Sequence, residues 1–458
     1  MFKWNTNNII DATGGRGVNG CNWTHSSNIS TDTRSIKKGD LFIALKGKNF
    51  DGHNFLHEAF LKGAAAAIVS EGKYKNFPLI IVQDTLKALH DMASYYIRNI
   101  LVNAKVIAIT GSVGKTTTKD MLHTVLSQYG VSHANEGNLN NNIGLPLTIL
   151  KAPKNCQYLI LEMGMNKAVE IKELSKISNP NIAVITNIEP AHTENFSSLF
   201  DVTQAKLEIL YGMKSNGTLV LNRDNKYYDY LSSHANRNVI SFGKDKNAEV
   251  CLLDLIRNDD GLNLKIRLSD NQTINCNLRV QGEHFAYSLL VVAAVVQSLG
   301  LDLLKLPLAL KNFSVTKGRG NIHKVKYNKK YIHLIDDSYN ASPASMKTAI
   351  KTLSTYSNQR KVALLGDMLE LGDKSIEFHT DLVKIVTENN IDKIYTVGKF
   401  MLELHELLPD NIRGAHFNDS NQLKSDLANI IQNNDAILVK GSRRMKMDLI
   451  VREFIIEY

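Results

Sequence analysis

The sequence predicts an α/β protein of three domains: a small mixed domain, a central doubly wound sheet that carries a phosphate-binding loop, and a second α/β unit. Apolar runs bounded by turn residues, typical of buried parallel strands, alternate with helical patterns in two separate stretches. A glycine-containing loop follows one of these runs and opens a helix. The length of 458 residues exceeds what one ordinary core supports.

The first block, residues 1–104, contains short strand patterns around one helical stretch. The strands are "DLFIAL" and "PLIIV", and the helical stretch is "NFLHEAFLKGAAAA". We therefore expect a small mixed α/β domain here.

The second block, residues 105–312, alternates strand and helix signals, as a doubly wound sheet does. Its most apolar segment, residues 285–301, includes Tyr287, Ser288 and Gln297 and is shorter than the roughly 20 residues of a membrane span, which favours a buried helix. The predicted strands are "VIAIT", "YLILEM", "IAVITNI" and "GTLVLN".

The third block, residues 313–458, alternates in the same way and predicts a second α/β unit. Its predicted strands are "YIHLIDD", "KVALLGDM", "KIYTVG" and "AILVKGS".

Composition argues against several classes of protein. The formal charge is +9, but the lysines are scattered and no aromatic residues interleave with arginine, so nucleic-acid binding is not expected. The positive charge instead suits an anionic substrate. The N terminus lacks the apolar core of a signal peptide, so a cytoplasmic protein is expected. No CxxC pair occurs, which argues against a zinc knuckle or a disulfide framework; the four cysteines are Cys21, Cys156, Cys251 and Cys276.

The stretch "VIAITGSVGKTTTKD" predicts a nucleotide phosphate site, because backbone N–H groups and a helix N-terminus would surround the phosphates. Lys115 supplies a positive charge for the β- and γ-phosphates, and the hydroxyl of Thr116 a ligand for magnesium. The loop is a shortened one, since Ile109 stands where the usual pattern has a glycine. Its residues are Gly111, Ser112, Val113, Gly114, Lys115, Thr116 and Thr117.

Three further residues follow strands or lie on a helix beyond the loop. Glu162 ends an apolar strand, where α/β sheets gather ligands, and is a candidate for magnesium. His192 follows the next such strand, and Lys206 lies in the helical "TQAKLEIL". A solvated glutamate, a structural histidine and a solvated lysine are the alternatives, so the residues alone predict an ATP-type site with magnesium.

With these residues in view, the chain resembles the Mur ligases, which use ATP to add amino acids or a dipeptide to the peptidoglycan precursor. The resemblance runs nearly end to end and implies a C-terminal Rossmann-like α/β domain. Its third-domain motifs are most similar to those of the members that add D-alanyl-D-alanine. The matching stretches are "STDTRSIKKGDLFIALKGKNFDGHNFL", "TGSVGKTTT", "EGNLNNNIGLPLTIL", "LEMGMN", "TNIEPAHTENF", "AKLEIL", "GEHFAYS", "GRGNIH", "DDSYNASPASM", "LLGDMLELG" and "LVKGSRRM".

The resemblance implies a reaction and its partners. D-alanyl-D-alanine would be joined to UDP-N-acetylmuramoyl-tripeptide through an acyl phosphate, with ATP and two magnesium ions, in a monomer without nucleic-acid binding or stable membrane insertion. Closure of the domains on ligand binding would follow.

The resemblance also implies residue roles. Lys115, Glu162, His192 and Lys206 would be catalytic, and Lys206 would be carbamylated. Magnesium would be held by Thr116, Glu162, His192 and Lys206. Beyond the loop, nucleotide binding would fall to His284, Ser288, Arg319, Asp337 and Asn340. Uridine diphosphate would be bound by Thr31, Thr33, Arg34, Lys46 and Gly47.

Departures and alternatives remain at this point. Phe285 and Ser288 stand where the family usually has asparagines near the adenine. "TDTR" is also consistent with a turn closed by an Asp–Arg pair. The competing functions are a diaminoacid-adding or folate polyglutamate ligase, a P-loop switch or motor, and a non-catalytic relative.

Overall fold

A computed structural model of the chain describes residues 2–20, 26, 28–47, 49–72, 76–190, 193–258 and 261–456. Their strands form three sheets that follow one another along the chain, of five, nine and six strands. The predicted three-part α/β architecture is confirmed.

The first sheet has its strands in the order β1-β5-β4-β3-β2, and every pair is parallel except β1 with β5. The elements are α1 (Thr6–Thr13), β1 (Arg16–Val18), β2 (Ile29–Ser30), β3 (Leu41–Ile43), α2 (Leu56–Leu61), β4 (Ala66–Val69), β5 (Leu79–Ile81) and α3 (Thr85–Asn99).

One expectation for this domain is wrong: the helical stretch predicted to include the alanines 64–67 stops earlier. Helix α2 ends at Leu61, and Gly63 follows with a φ of 92°. The segment Ala66–Val69 is instead the fully buried strand β4. Burial between two sheet neighbours outweighs the intrinsic helix preference of alanine.

The central sheet has the strand order β14-β13-β12-β11-β10-β9-β6-β8-β7. The strands from β7 to β12 pair in parallel, whereas β12, β13 and β14 form an antiparallel extension that the sequence did not predict. The elements are β6 (Lys105–Thr110), α4 (Lys115–Leu126), β7 (Ser132–Ala134), α5 (Gly144–Lys151), β8 (Tyr158–Glu162), α6 (Glu170–Ser178), β9 (Ile182–Ile185), α7 (Leu199–Leu207), β10 (Thr218–Asn222), α8 (Tyr228–Ser233), β11 (Asn238–Gly243), β12 (Val250–Asn258), β13 (Gly261–Arg267), β14 (Thr273–Leu278), α9 (His284–Ser298) and α10 (Leu306–Ala309).

The apolar segment after β14 forms the buried helix α9, as predicted. It lies in one core with β6 and the antiparallel extension, and residues 289–296 are almost fully buried. No helix in the described part of the chain has both the length and the apolar character to cross a membrane. Cys156, Cys251 and Cys276 are buried free thiols, and Cys21 lies outside the described residues.

The third sheet has the order β15-β16-β20-β17-β18-β19, with only β15 antiparallel to its neighbour. The elements are β15 (Asn321–Tyr327), β16 (Lys330–Asp337), α11 (Pro343–Ser354), β17 (Arg360–Gly366), α12 (Ser375–Thr380), α13 (Leu382–Glu388), β18 (Lys393–Val397), α14 (Met401–Leu407), β19 (Arg413–Phe417), α15 (Ser420–Ile430), β20 (Asp435–Lys440) and α16 (Asp448–Ile456).

One apolar core joins the first two sheets: Ile43 of β3 and Leu159 of β8 belong to the same cluster of buried side chains. This shared core does not mark a boundary after residue 104. The predicted boundaries after residues 104 and 312 stay predictions. The carboxyl ends of β6, β8, β16 and β20 border one cleft between the central and C-terminal domains.

Candidate active site

The phosphate-binding loop requires its two glycines. Gly111 has a φ of 146°, and a Cβ there would overlap the Oγ1 of Thr186. Gly114 has a φ of 83° and directly precedes α4. Thr186, directly after β9, donates a hydrogen bond to the carbonyl of Val113 at 2.6 Å, so the segment that leaves the neighbouring strand holds the loop in place.

Lys115 lies over this loop. Its Nζ donates to the Gly111 carbonyl at 2.6 Å. Phosphate oxygens could replace this carbonyl as the acceptor. Burial lowers the pKa of Lys115, and the negative charge of Glu162 opposes the shift. A second contact links the loop to the β9 side, because Ser112 Oγ accepts the N–H of Glu189 at 3.1 Å.

Glu162 is buried, with 2% of its surface exposed, so the alternative of a solvated strand-end carboxylate does not hold. Thr116 Oγ1 donates to its Oε2 at 2.8 Å, and Asn140 Nδ2 donates to its Oε1 at 2.7 Å. Its own N–H donates to Asn135 Oδ1 at 2.6 Å. A hydroxyl and a carboxylate side by side form an oxygen donor set that suits Mg²⁺.

Lys206 lies in the last turn of α7, a helix that begins with a capping box between Ser198 and Asp201. Only 4% of it is exposed, which excludes a solvated helix lysine. Burial lowers its pKa well below the ordinary value, and the charge of Lys115 adds to the effect. Within the described residues no acceptor lies within hydrogen-bond distance of Lys206 Nζ.

His192 lies outside the described residues, so its predicted role as a ligand stays a prediction.

On the α9 side of the cleft, His284 and Ser288 have different environments. No described residue is a hydrogen-bond partner for the buried Nδ1 of His284. Burial, with a smaller effect from Lys440, lowers the pKa of His284 to about 4, so the ring is neutral at pH 7. Ser288 is buried and accepts a hydrogen bond from Thr118 Oγ1 at 3.3 Å. Phe285 is fully buried, with its ring 4.1 Å from the His284 ring.

The C-terminal domain contributes a second group of charges. The Arg319 guanidinium stacks on the Tyr339 ring at 4.1 Å, and its buried Nε has no hydrogen-bond partner among the described residues. Lys440 Nζ donates to Asp337 Oδ2 at 2.6 Å and to the Asn340 carbonyl at 2.9 Å. Burial raises the pKa of Asp337, and Lys440 opposes the shift.

The cleft has a volume of about 1940 Å³ and joins most of the predicted catalytic and nucleotide residues. Gly111 is not among its lining residues, because it lies below the loop against Thr186. The predicted residues that line it are Ser112, Val113, Gly114, Lys115, Thr116, Thr117, Glu162, Lys206, His284, Ser288, Arg319, Asp337 and Asn340.

The predicted uridine-diphosphate residues lie elsewhere, after the carboxyl ends of β2 and β3, and none of the five lines this cleft. Arg34 is exposed and makes a bidentate pair with Asp32, so the "TDTR" turn is closed by an Asp–Arg pair, as the alternative had it. Thr33 is buried, and Lys46 lies 3.7 Å from Asp51. The other two are Thr31 and Gly47.

Four residues of the site were missed as individual candidates: Asn135, Asn140, Thr186 and Lys440. Thr186 carried the signal that identified Glu162, a polar residue at the end of an apolar strand. Asn135, Asn140 and Lys440 lie in or beside stretches that resembled the family, but the sequence does not show which side chains reach Glu162 or Asp337.

Three family models match the chain in order. The model described as "Mur ligase family, catalytic domain" matches residues 25–109, "Mur ligase middle domain" residues 109–296, and "Mur ligase, glutamate ligase domain" residues 318–443.

Two similar proteins carry the name UDP-N-acetylmuramoyl-tripeptide--D-alanyl-D-alanine ligase. The one from Buchnera aphidicola subsp. Baizongia pistaciae is 40% identical over 94% of this chain and 92% of its own. The one from Bacillus subtilis is 36% identical over 93% of each.

Solved structures are also similar over nearly the whole chain. A crystal structure of MurF from Acinetobacter baumannii matches with a TM-score of 0.91 and 30% identity, covering 99% of both chains. MurF from Thermotoga maritima in complex with ADP matches with a TM-score of 0.82 and 28% identity, covering 94% of this chain and 97% of that one.

Proposed function

Because this chain belongs to the Mur ligase family, we propose that it joins D-alanyl-D-alanine to UDP-N-acetylmuramoyl-tripeptide, with ATP giving ADP and phosphate. The product is UDP-N-acetylmuramoyl-pentapeptide, a precursor of peptidoglycan. The observation that carries the proposal is the similarity to ligases of that name, which are 35–40% identical to this chain over nearly its full length. The joining of the phosphate loop, Glu162 and Lys206 in one cleft supports it.

The reaction needs ATP because a carboxylate is a poor electrophile with oxide as its leaving group. A carboxylate oxygen of the tripeptide takes the γ-phosphoryl group, and the bond between that phosphorus and the oxygen of ADP breaks. The amine of D-alanyl-D-alanine then attacks the acyl carbon. Phosphate leaves with the bonding electron pair, and the amine loses a proton to give the amide.

The positive groups of the cleft stabilise the charge on the transferred phosphoryl group. Lys115 exchanges its contact with the Gly111 carbonyl for phosphate oxygens, and the loop N–H groups bind the same oxygens. Arg319 approaches from the C-terminal domain, where its unpartnered Nε supports a role in binding phosphate. The neutral ring of His284 and the hydroxyl of Ser288 border the nucleotide, with Asp337 and Asn340 opposite.

Thr116 and Glu162 would hold one magnesium ion; Asn140 orients the Glu162 carboxylate, and Asn135 holds the Glu162 backbone. A bound magnesium ion neutralises negative charge on the phosphate oxygens. His192 and a carbamylated Lys206 would hold a second ion in this proposal.

The environment of Lys206 favours carbamylation. Only the neutral amine attacks carbon dioxide, and burial beside Lys115 lowers the pKa of Lys206, which increases the neutral fraction. Attack by the neutral amine gives a carbamate and releases one proton. Counted from the ammonium form, two protons leave and a positive charge becomes a negative one. That anion would be attracted to Lys115 and to magnesium, whereas the free ammonium would repel both.

The remaining expectations stay part of the proposal. Thr31, Thr33, Arg34, Lys46 and Gly47 bind the uridine diphosphate, and Arg34 must then exchange Asp32 for phosphate. The domains are residues 1–104, 105–312 and 313–458. The enzyme acts as a monomer in the cytoplasm, where ATP and nucleotide-linked substrates occur together.

Mass spectrometry of the product tests the function. Purified protein with ATP, Mg²⁺, bicarbonate, UDP-N-acetylmuramoyl-tripeptide and D-alanyl-D-alanine should give a product heavier than the tripeptide substrate by the dipeptide less one water. Omission of either substrate should abolish the product. ATP hydrolysis at the same rate without any acceptor would favour a P-loop switch instead.

A further inference from the structure

The loop that follows Glu162 contains a strained residue. Val169 has a φ of 76° and a ψ of −20°, in the left-handed region that β-branched residues avoid. It immediately precedes α6 and is 49% exposed, so core packing does not impose this conformation. Backbone strain of this kind persists only where surrounding contacts enforce it.

One carboxylate supplies those contacts. Glu208 Oε1 accepts the N–H of Val169 at 2.8 Å, and its Oε2 accepts the N–H of Lys172 at 3.3 Å. Glu208 follows Lys206 by two residues and begins the 3₁₀ turn after α7. These two hydrogen bonds to Glu208, called the clamp below, therefore tie the loop to the segment that carries Lys206.

The turn itself is anchored to α6, so the clamp has a rigid base. Ser175 Oγ donates to the Ile209 carbonyl and accepts the N–H of Gly212 at 3.1 Å. A second carboxylate closes the loop from within, because Glu170 Oε2 accepts the N–H of Asn166 at 2.7 Å.

The loop borders the cleft that contains the residues proposed to hold magnesium. Residues 165–169 line the cleft together with Glu162 and Lys206. The loop follows β8, which lies on one side of β6, whereas β11 and β12, against which the His284-bearing helix α9 packs, lie on the other side of β6. This order along the sheet favours the acceptor peptide, rather than the nucleotide base, as the neighbour of this loop.

We propose that Glu208 is a positioning residue that holds the strained loop at Val169 in the form that receives the tripeptide carboxylate. The inference rests on the proposed ligase function. Without the carboxylate, Val169 relaxes to negative φ and the loop leaves its place beside Lys206.

Steady-state kinetics of E208A, with product detected by mass, provide the test. Relaxation of a strained residue corresponds to about a tenfold change in the equilibrium between the two loop forms. The KM for UDP-N-acetylmuramoyl-tripeptide should therefore rise about tenfold. The KM for ATP should stay within about twofold, since the proposal assigns the loop to the acceptor peptide and not to the nucleotide. A general loss of folding would instead lower the apparent kcat and leave both KM values unchanged. E388A removes an exposed glutamate that pairs with Lys384 at 3.8 Å and is the matched control.

A double-mutant cycle with V169G separates strain from the loss of the two hydrogen bonds. Glycine accepts positive φ freely, so E208A in the V169G background should raise the KM by less than about threefold. E208Q, which keeps one acceptor oxygen, should give an intermediate KM and replaces E208A in the cycle if that variant does not fold.

Two outcomes would overturn the inference. One is an unchanged KM for the tripeptide substrate in folded E208A or E208Q. The other is a rise in that KM by the same factor in the wild-type and V169G backgrounds. Wild-type protein that forms no product would refute the proposed function itself, whatever the variants do.

Discussion

Phe285 stands where the family usually has an asparagine. Replacing Phe285 with asparagine should lower the stability of the folded protein. The Phe285 side chain is fully buried against the His284 ring, and the Phe313 ring lies 6.5 Å away. Gly320 lies over the ring, since a Cβ built on it would be 3.7 Å from Phe285 Cζ. The side chain therefore connects α9 to the chain segment that enters the C-terminal domain.

The magnitude follows from the burial. Loss of a buried phenylalanine side chain costs about 3–5 kcal/mol, and an asparagine amide left without partners adds about 1–3 kcal/mol. For a domain of about 200 residues, 1 kcal/mol corresponds to roughly 2–4 °C, so Phe285→Asn should lower the melting temperature by about 10 °C or more.

Differential scanning fluorimetry measures the change, with Phe285→Leu as the control. Leucine keeps an apolar side chain at this position and should lower the melting temperature by less than half as much as asparagine does. A Phe285→Asn variant that melts within about 2 °C of the wild type would refute the reasoning, since an amide would then be accommodated in this core.

Three further predictions concern the site. Asn140→Ala should weaken magnesium activation about 10- to 100-fold, because Glu162 loses the contact that orients it, and a titration of activity with Mg²⁺ measures it, with Asn429→Ala, an exposed asparagine of α15 outside the cleft, as the control. Lys206→Met should abolish ligation, and bicarbonate added to CO₂-depleted buffer should activate the wild type and not the variant; full activity of the variant would exclude a carbamate. Lys206 has a folded-state pKa below its usual 10.5, so the unfolded chain binds more protons between the two values and stability should rise with pH across that window. Melting temperatures in CO₂-free buffer should show this rise in the wild type and a flatter profile in Lys206→Met.

The parts of the site that the sequence predicted are those set by local order along the chain. A strand, the loop at Gly111–Gly114 and a helix follow one another directly, so the phosphate site could be predicted from spacing. Glu162 could be predicted because the carboxyl ends of neighbouring parallel strands meet at one edge. The burial of Lys206 could not, since the pattern of α7 resembles that of an ordinary helix and only tertiary packing removes the lysine from water.

The parts that sequence reasoning missed depend on contacts between distant segments. Asn135 reaches Glu162 from the turn after β7, and Thr118 reaches Ser288 across the interface of α4 and α9. The antiparallel strands β13 and β14 were missed as well, since their alternating burial is a weaker signal than a continuous apolar run. The alanines that became β4 show tertiary burial outweighing local propensity.

The central claim, that ATP activates a carboxylate, is tested most directly by isotope transfer. UDP-N-acetylmuramoyl-tripeptide labelled with ¹⁸O in its terminal carboxylate would be incubated with the enzyme, ATP, Mg²⁺, bicarbonate and D-alanyl-D-alanine, and the released phosphate analysed by mass. An acyl phosphate predicts that the phosphate carries one ¹⁸O from the carboxylate. Unlabelled phosphate formed together with the pentapeptide product would contradict it.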